Sequence, residues 1–179
     1  MSCSETYNFL FYREHPDGNC LYRAHSVALV GNGTLALDLR ILVAIELYRN
    51  AGYYAEHPLL KNIFFNNQGA FQSESSVFSM MLSHFGTQNF VNVSDYTKTE
   101  CVIEEALSTL VVGRYSSIMC IFALTSVLGQ PISSFSHTPT KAKLSLLRNF
   151  TVAPRIQKEV VKCPLMIFWS RCSKTISCH

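Results

Sequence analysis

The sequence predicts one α/β (α+β) domain in which a small central β-sheet is sandwiched between helices. Of its 179 residues, 48% are hydrophobic and 15% are charged, which suits a compact domain with a sizeable core. Most apolar residues recur at helical spacing, and a few short runs have the composition of buried strands. Helices interrupted by a few strands are typical of this fold class, and the pattern leaves the topology open.

The first helix is predicted directly after a turn. Residues Asn8–Arg13 are aromatic and apolar, suit a short strand, and end at the turn-forming His15–Gly18. From Cys20 the apolar positions have helical spacing, and Gly31–Gly33 supplies a stop. The predicted apolar face of this helix comprises Leu21, Ala24, Val27, Ala28 and Val30.

A second helix is predicted from Thr34 or Asp38 to about Asn50, packed on the same core as the first. Its apolar stripe comprises Leu37, Leu39, Ile41, Leu42, Ala44, Ile45 and Leu47. The remaining predicted elements are helices at Ser75–Phe85, Thr97–Val111 and Ser116–Leu128 and strands at Ile132–Phe135 and Pro164–Trp169. In the helix that begins at Thr97, the expected apolar side is Val102, Ala106 and Leu110.

Charge and hydropathy argue against a nucleic-acid or membrane protein. The net charge is +3, and the eight Lys and Arg residues between Lys141 and Lys174 are opposed by Glu159 alone. These basic residues are spread over a segment with little aromatic interleaving, so we interpret it as a solvated loop and do not expect nucleic-acid binding. The most apolar stretch, Ile118–Gly129, is far shorter than a bilayer requires. We expect a buried helix there and no membrane span.

The cysteines predict thiols in a reducing compartment. The chain has seven cysteines and no CxxC pair, which argues against a disulfide framework and a four-ligand zinc site. The N-terminal residues lack the basic start and long apolar run of a signal peptide. We therefore expect a cytoplasmic or nuclear protein with no metal and no cofactor, and the sequence does not determine its oligomeric state.

One cysteine is placed where a thiol can be reactive. In Asp17-Gly18-Asn19-Cys20, a tight turn delivers Cys20 to the first turn of the predicted helix. The helix dipole and the unpaired amides there favour the thiolate, which is the attacking form. Gly18 and Asn19 tolerate unusual backbone angles, so the same turn can direct amide N–H groups at an oxyanion. On these grounds alone, the favoured interpretation is that Cys20 simply begins an ordinary apolar helix after the turn.

The run Asp17–Ala24, DGNCLYRA, resembles the signature around the catalytic cysteine of ovarian-tumour (OTU) deubiquitinases. A second, weaker similarity covers Gly113–Ile132, and the strand Leu165–Arg171 resembles the next strand of that family. The sequence, with its FWSR strand, is more similar to the divergent OTU-like domains of animal transposon-derived or vertnin-like proteins than to well-studied deubiquitinases. The resemblance implies a papain-like cysteine protease fold over a single domain, residues 1–179.

The resemblance also implies a function, namely hydrolysis of ubiquitin or ubiquitin-like conjugates by a thiol isopeptidase. Cys20 would be the nucleophile, and Asp17 would be a second catalytic residue that caps the helix or fixes the turn. Gly18 and Asn19 would shape the oxyanion loop with it. OTU enzymes also use a histidine near the C-terminus of the domain, and His179 is the candidate because it alone follows the last predicted strand.

The histidine part of the pattern is incomplete. No aromatic residue follows His179 and no Asp or Asn follows Asn149, so we expect a domain that is incomplete at its C-terminus and lacks the last strand of the family fold. The alternative function is therefore an inactive OTU-like binding module within a larger regulatory or DNA-associated protein. Among the other histidines, His25 is expected to point away from Cys20, and His57 is interpreted as a loop residue.

Overall fold

Five helices and one three-stranded sheet make up the part of the chain that the structure, a computed structural model, describes: residues 17–59, 98–136, 149–156 and 163–169. The helices are α1 (Cys20–Val30), α2 (Ala36–Arg49), α3 (Ala51–Ala55), α4 (Lys98–Thr109) and α5 (Ile118–Leu128). The strands are β1 (Ile132–Ser136), β2 (Asn149–Val152) and β3 (Leu165–Trp169). This mixed α/β architecture confirms the predicted fold class, whereas the elements predicted at Asn8–Arg13 and Ser75–Phe85 lie outside the described residues.

The helix ends follow local sequence signals. Helix α1 begins at Cys20, as predicted, and ends before Gly31, whose N–H donates to Val27 O. Helix α5 begins after Ser117, whose hydroxyl accepts a hydrogen bond from the Met119 N–H at 3.1 Å. A serine at this position satisfies one of the amides that a helix start leaves without an intrahelical partner.

The sheet has the strand order β2-β1-β3, with β1 at its centre. Strand β1 runs antiparallel to β2 and parallel to β3, so Ile132 lies opposite both Val152 and Leu165. Across the antiparallel pair, the Ser133 and Thr151 hydroxyls are hydrogen-bonded at 2.7 Å. Strand β2 was not predicted, because four residues within a basic segment are too few for a strand period to be recognised.

Helix α5 lies in the middle of the core. Every residue from Ile118 to Thr125 is buried, which confirms the buried helix expected there. Phe122 contacts Phe150 of β2 edge-on, with ring centroids 5.9 Å apart, and stacks on His57 at 4.4 Å. Helix α2 packs against α1, α4 and α5. No helix in the described part of the chain is long and apolar enough to cross a membrane.

The buried face of α2 differs from the predicted one. Leu39, Ala44 and Leu47 are buried, as expected, but four other members of the stripe are exposed: Leu37, Ile41, Leu42 and Ile45. Their place in the core is taken by Val43 and by Arg40, which is 2% exposed. Because apolar residues occur around most of this helix, periodicity alone cannot select the face that packs.

The predicted faces of two other helices are corrected in the same way. In α1, Leu21 is buried but Ala28 and Val30 are exposed, and three residues outside the predicted face are buried instead: Tyr22, His25 and Ser26. Beyond α4, Leu110 is exposed because the helix ends at Thr109.

A matched pair of leucines in α2 tests this burial. Leu47 is fully buried, whereas Leu42 is 47% exposed. Leu47→Ala should lower the free energy of unfolding by about 2–5 kcal/mol, because it leaves a cavity in the core. Leu42→Ala should change it by less than about 1 kcal/mol. Urea denaturation followed by circular dichroism measures both, and equal losses would contradict the assigned face.

Candidate active site

Cys20 is the first residue of α1 and is partly exposed. The residue before it, Asn19, occupies the N-cap position, but its side chain does not cap the helix. Instead, Asn19 Oδ1 accepts a hydrogen bond from Arg40 Nη1 at 2.8 Å. The turn therefore leads directly into the first residue of α1, whereas the catalytic roles of Asp17, Gly18, Asn19 and Cys20 stay predictions.

Asp17 fixes the shape of this turn. Its Oδ1 accepts a hydrogen bond from the Asn19 N–H at 3.0 Å, and its Oδ2 accepts one from Arg23 Nη2. The bond from Arg23 is the main cause that holds the pKa of Asp17 below its usual value, and the Asn19 amide contributes next. Arg23 of α1 is thus paired with Asp17, six residues earlier in the turn, and both side chains are partly exposed.

Gly18 brings the turn into direct contact with the segment between α4 and α5. Its φ is +80°, a conformation that L side chains rarely adopt, and the residue is buried. A Cβ atom on Gly18 would lie 2.1 Å from Gly113 O and 2.4 Å from Gly113 C. The backbone of residue 113 therefore occupies the space that any other side chain would need.

Arg40 is the largest fully buried side chain among the described residues, and it reaches the turn from α2. Its guanidinium group donates hydrogen bonds to the turn and to the segment from Thr109 to Arg114 (residues 109–114). The bonds run from Nε to Thr109 O (2.5 Å), from Nη1 to Gly18 O (3.0 Å) and Asn19 Oδ1 (2.8 Å), and from Nη2 to Val111 O (2.6 Å) and Arg114 O (2.8 Å).

The sequence analysis did not identify Arg40. The sequence holds one pointer to it: in LDLRILVAIEL a single arginine is flanked by apolar residues. It follows the buried Leu39 directly and lies about one helical turn before the buried Val43. An isolated basic residue on a helix is usually solvated, so this signal gains meaning only once the packing of α2 is known.

A second buried polar group binds the other end of the segment between α4 and α5. Glu105 is 1% exposed, and its Oε1 accepts hydrogen bonds from the Ser117 N–H at 3.1 Å and from Cys120 Sγ at 3.5 Å. Burial, together with the Glu105 carboxyl, raises the pKa of the Cys120 thiol to about 12. Cys120 is therefore a protonated core thiol, in contrast to the partly exposed Cys20.

Two of the six histidines lie in the described part of the chain. His25 is buried, and its Nδ1 lies 2.7 Å from Leu21 O within α1. His57 follows α3, is 7% exposed and stacks on Phe122, so it is a core residue as well as a loop residue. His179 lies outside the described residues, and its role stays a prediction. Within the described ranges, no group of three or more His, Cys, Asp or Glu side chains could hold a metal ion.

The turn before Cys20 and the backbone of Gly113 that it contacts both lie in stretches whose sequence resembles OTU proteins. The profile of the family described as "Vertnin, OTU domain" matches residues 13–170 of the chain. The chain belongs to this family. No curated protein and no solved structure is a significant match. Family membership supports an OTU-like domain, and the match spans the Cys20 turn, Arg40 and all three strands.

Substitution of Gly18 tests the contact between the turn and residue 113. Gly18→Ala should destabilise the fold strongly and disorder the turn, because the new Cβ would overlap Gly113 O. Gly31→Ala is the matched control: its φ is +78°, but nothing lies within 4 Å of the added atom. We expect about 1–2 kcal/mol of destabilisation for the control, measured by urea denaturation, and clearly more for Gly18→Ala. Similar losses in the two variants would show that the contact is unimportant.

The buried His25 predicts a dependence of stability on pH. Burial lowers the pKa of His25 below 6.5, so the unfolded chain takes up a proton at a higher pH than the folded one. The free energy of unfolding should therefore fall as the pH drops through 6.5, since the unfolded state then binds more protons. Urea denaturation between pH 7.5 and 5.5 should show a smaller loss in His25→Leu than in the wild type. A slope that His25→Leu leaves unchanged would contradict this assignment.

Proposed function

We propose that the chain is an OTU-type thiol isopeptidase that hydrolyses ubiquitin or ubiquitin-like conjugates, with Cys20 as its nucleophile. The observation that carries the proposal is the position of Cys20, partly exposed at the start of α1 and directly after a turn held against residue 113. Membership of an OTU domain family supports the same reaction class. A reactive thiol needs both access and an electropositive setting, and a helix start provides the second.

In the proposed reaction, the Cys20 thiolate attacks the carbonyl carbon of the isopeptide bond. The oxyanion that forms is stabilised by backbone N–H groups of the turn and of the first turn of α1. The Asn19 N–H already donates to Asp17 Oδ1, so it serves the shape of the turn. Asn19 then acts through its side chain, which anchors the turn to Arg40.

An imidazole is needed to move the proton. It takes the proton of the Cys20 thiol and gives it to the lysine amine as the carbon–nitrogen bond breaks and a thioester forms. Water then attacks the thioester, loses a proton to the imidazole, and releases the carboxylate and the thiol. We propose His179 for this role, because it is the histidine that follows the last predicted strand of the sequence, as the family pattern requires. His25 and His57 are buried within the core.

A ubiquitin probe with a thiol-reactive C-terminal group tests the nucleophile. The wild-type chain should form a covalent adduct, and Cys20→Ser should form none because it lacks the attacking sulfur. Cys163→Ser is the matched control, since Cys163 is an exposed cysteine that lies two residues before β3. This variant should react like the wild type, as judged by gel shift and by mass spectrometry of the labelled peptide.

Two results would contradict the proposal. Failure of the folded wild-type chain to form an adduct, under conditions in which an established OTU enzyme reacts, would exclude Cys20 as the nucleophile. Binding of ubiquitin without adduct or hydrolysis would instead favour the alternative function, an inactive binding module.

A further inference from the structure

We propose that Arg40 is a positioning residue for Cys20, holding the turn in place while its buried charge favours the thiolate. This inference rests on the proposed function in taking Cys20 as the nucleophile. It is carried by the contacts of the guanidinium group, which reach the two residues that directly precede Cys20.

The guanidinium group uses its whole donor capacity. Arginine has five N–H donors, and Arg40 makes five hydrogen bonds, all to uncharged oxygen atoms of the described residues. None of these acceptors is a carboxylate, so no ion pair within the described ranges offsets the charge. The guanidinium carbon also lies 5.3 Å from the centre of the Tyr22 ring, a contact that leaves the charge in place.

The acceptors belong to two parts of the site. Two lie in the turn before Cys20, and three lie in residues 109–114, which carry the backbone that Gly18 touches. A planar fork can bridge both parts at fixed angles, whereas a lysine ammonium would supply a charge without that geometry. Arg40 therefore sets the distance between the turn and the neighbouring segment.

The charge of Arg40 also acts on Cys20. In a buried site a positive charge is weakly screened, so it adds to the field of the α1 helix start and favours a negative sulfur. The other charged side chains described near this junction have partners of their own. Asp17 and Arg23 pair with each other, Arg114 donates to Ser108, and Glu105 accepts from Ser117 and Cys120.

The test measures the reactivity of Cys20 without any ubiquitin. In a Cys163→Ser background, the rate of alkylation of Cys20 by iodoacetamide is followed from pH 5 to 10, with the site identified by peptide mass spectrometry. Arg40→Gln should shift the profile to higher pH and lower the rate at pH 7 by about tenfold, because less thiolate is present. Arg40→Lys keeps the charge and should recover part of the loss. Arg49→Gln, the same change at an exposed position of α2, should match the background.

A milder variant keeps the test valid if the Arg40 variants do not fold. Asn19→Ala removes one acceptor in the turn and leaves Arg40 bonded to Gly18 O, so it should fold and shift the profile in the same direction by a smaller amount. A profile in folded Asn19→Ala that coincides with the background would overturn the proposal. So would an Arg40→Gln variant that folds and reacts like the background.

The outcome separates this inference from the proposed function. A shifted alkylation profile in a chain that does not react with the ubiquitin probe would support the role of Arg40 and reject the isopeptidase. If the chain hydrolyses ubiquitin conjugates but the alkylation profile of Arg40→Gln is unshifted, the isopeptidase is supported and the role of Arg40 is rejected.

Discussion

A single buried guanidinium group joins the three sequence regions that form the candidate site. Arg40 hydrogen-bonds residues 22 and 21 positions before it and residues 69 to 74 positions after it. Burying an arginine is costly unless its donors are satisfied, and here every donor has an acceptor. The position of α2 against the turn and the position of the turn against residue 113 therefore depend on the same set of bonds.

The segment between α4 and α5 is held by polar groups at both ends. Arg40 binds carbonyl groups at residues 109–114, while the Glu105 carboxyl binds the Ser117 amide and so supports the start of α5. A connecting segment with its carbonyl and amide groups fixed in this way gives the turn a rigid backbone to pack against. This contact explains why the turn needs Gly18, since the backbone at Gly113 leaves no room for a Cβ.

Much of the architecture could be predicted from local sequence, because its signals are local. The start of α1 at Cys20, the end of α5 before Gly129 and the strands β1 and β3 follow from turn residues and apolar runs. The buried faces of α1 and α2 could not be predicted, because each helix carries apolar residues on more than one side. Which side is buried depends on where the neighbouring elements pack. Arg40 was missed for the same reason: its acceptors are mostly carbonyl groups, which no side-chain pattern reveals.

The long sequence separations within the site have a consequence for folding. The turn before Cys20 depends on Thr109, Val111 and Arg114, which are synthesised about 70 residues after Arg40. Closing such loops carries an entropic cost, and contacts of this range form after the local ones. On the ribosome, Cys20 therefore emerges well before the residues that position it. If Cys20 is the nucleophile proposed above, its reactivity should develop only as the domain completes its fold.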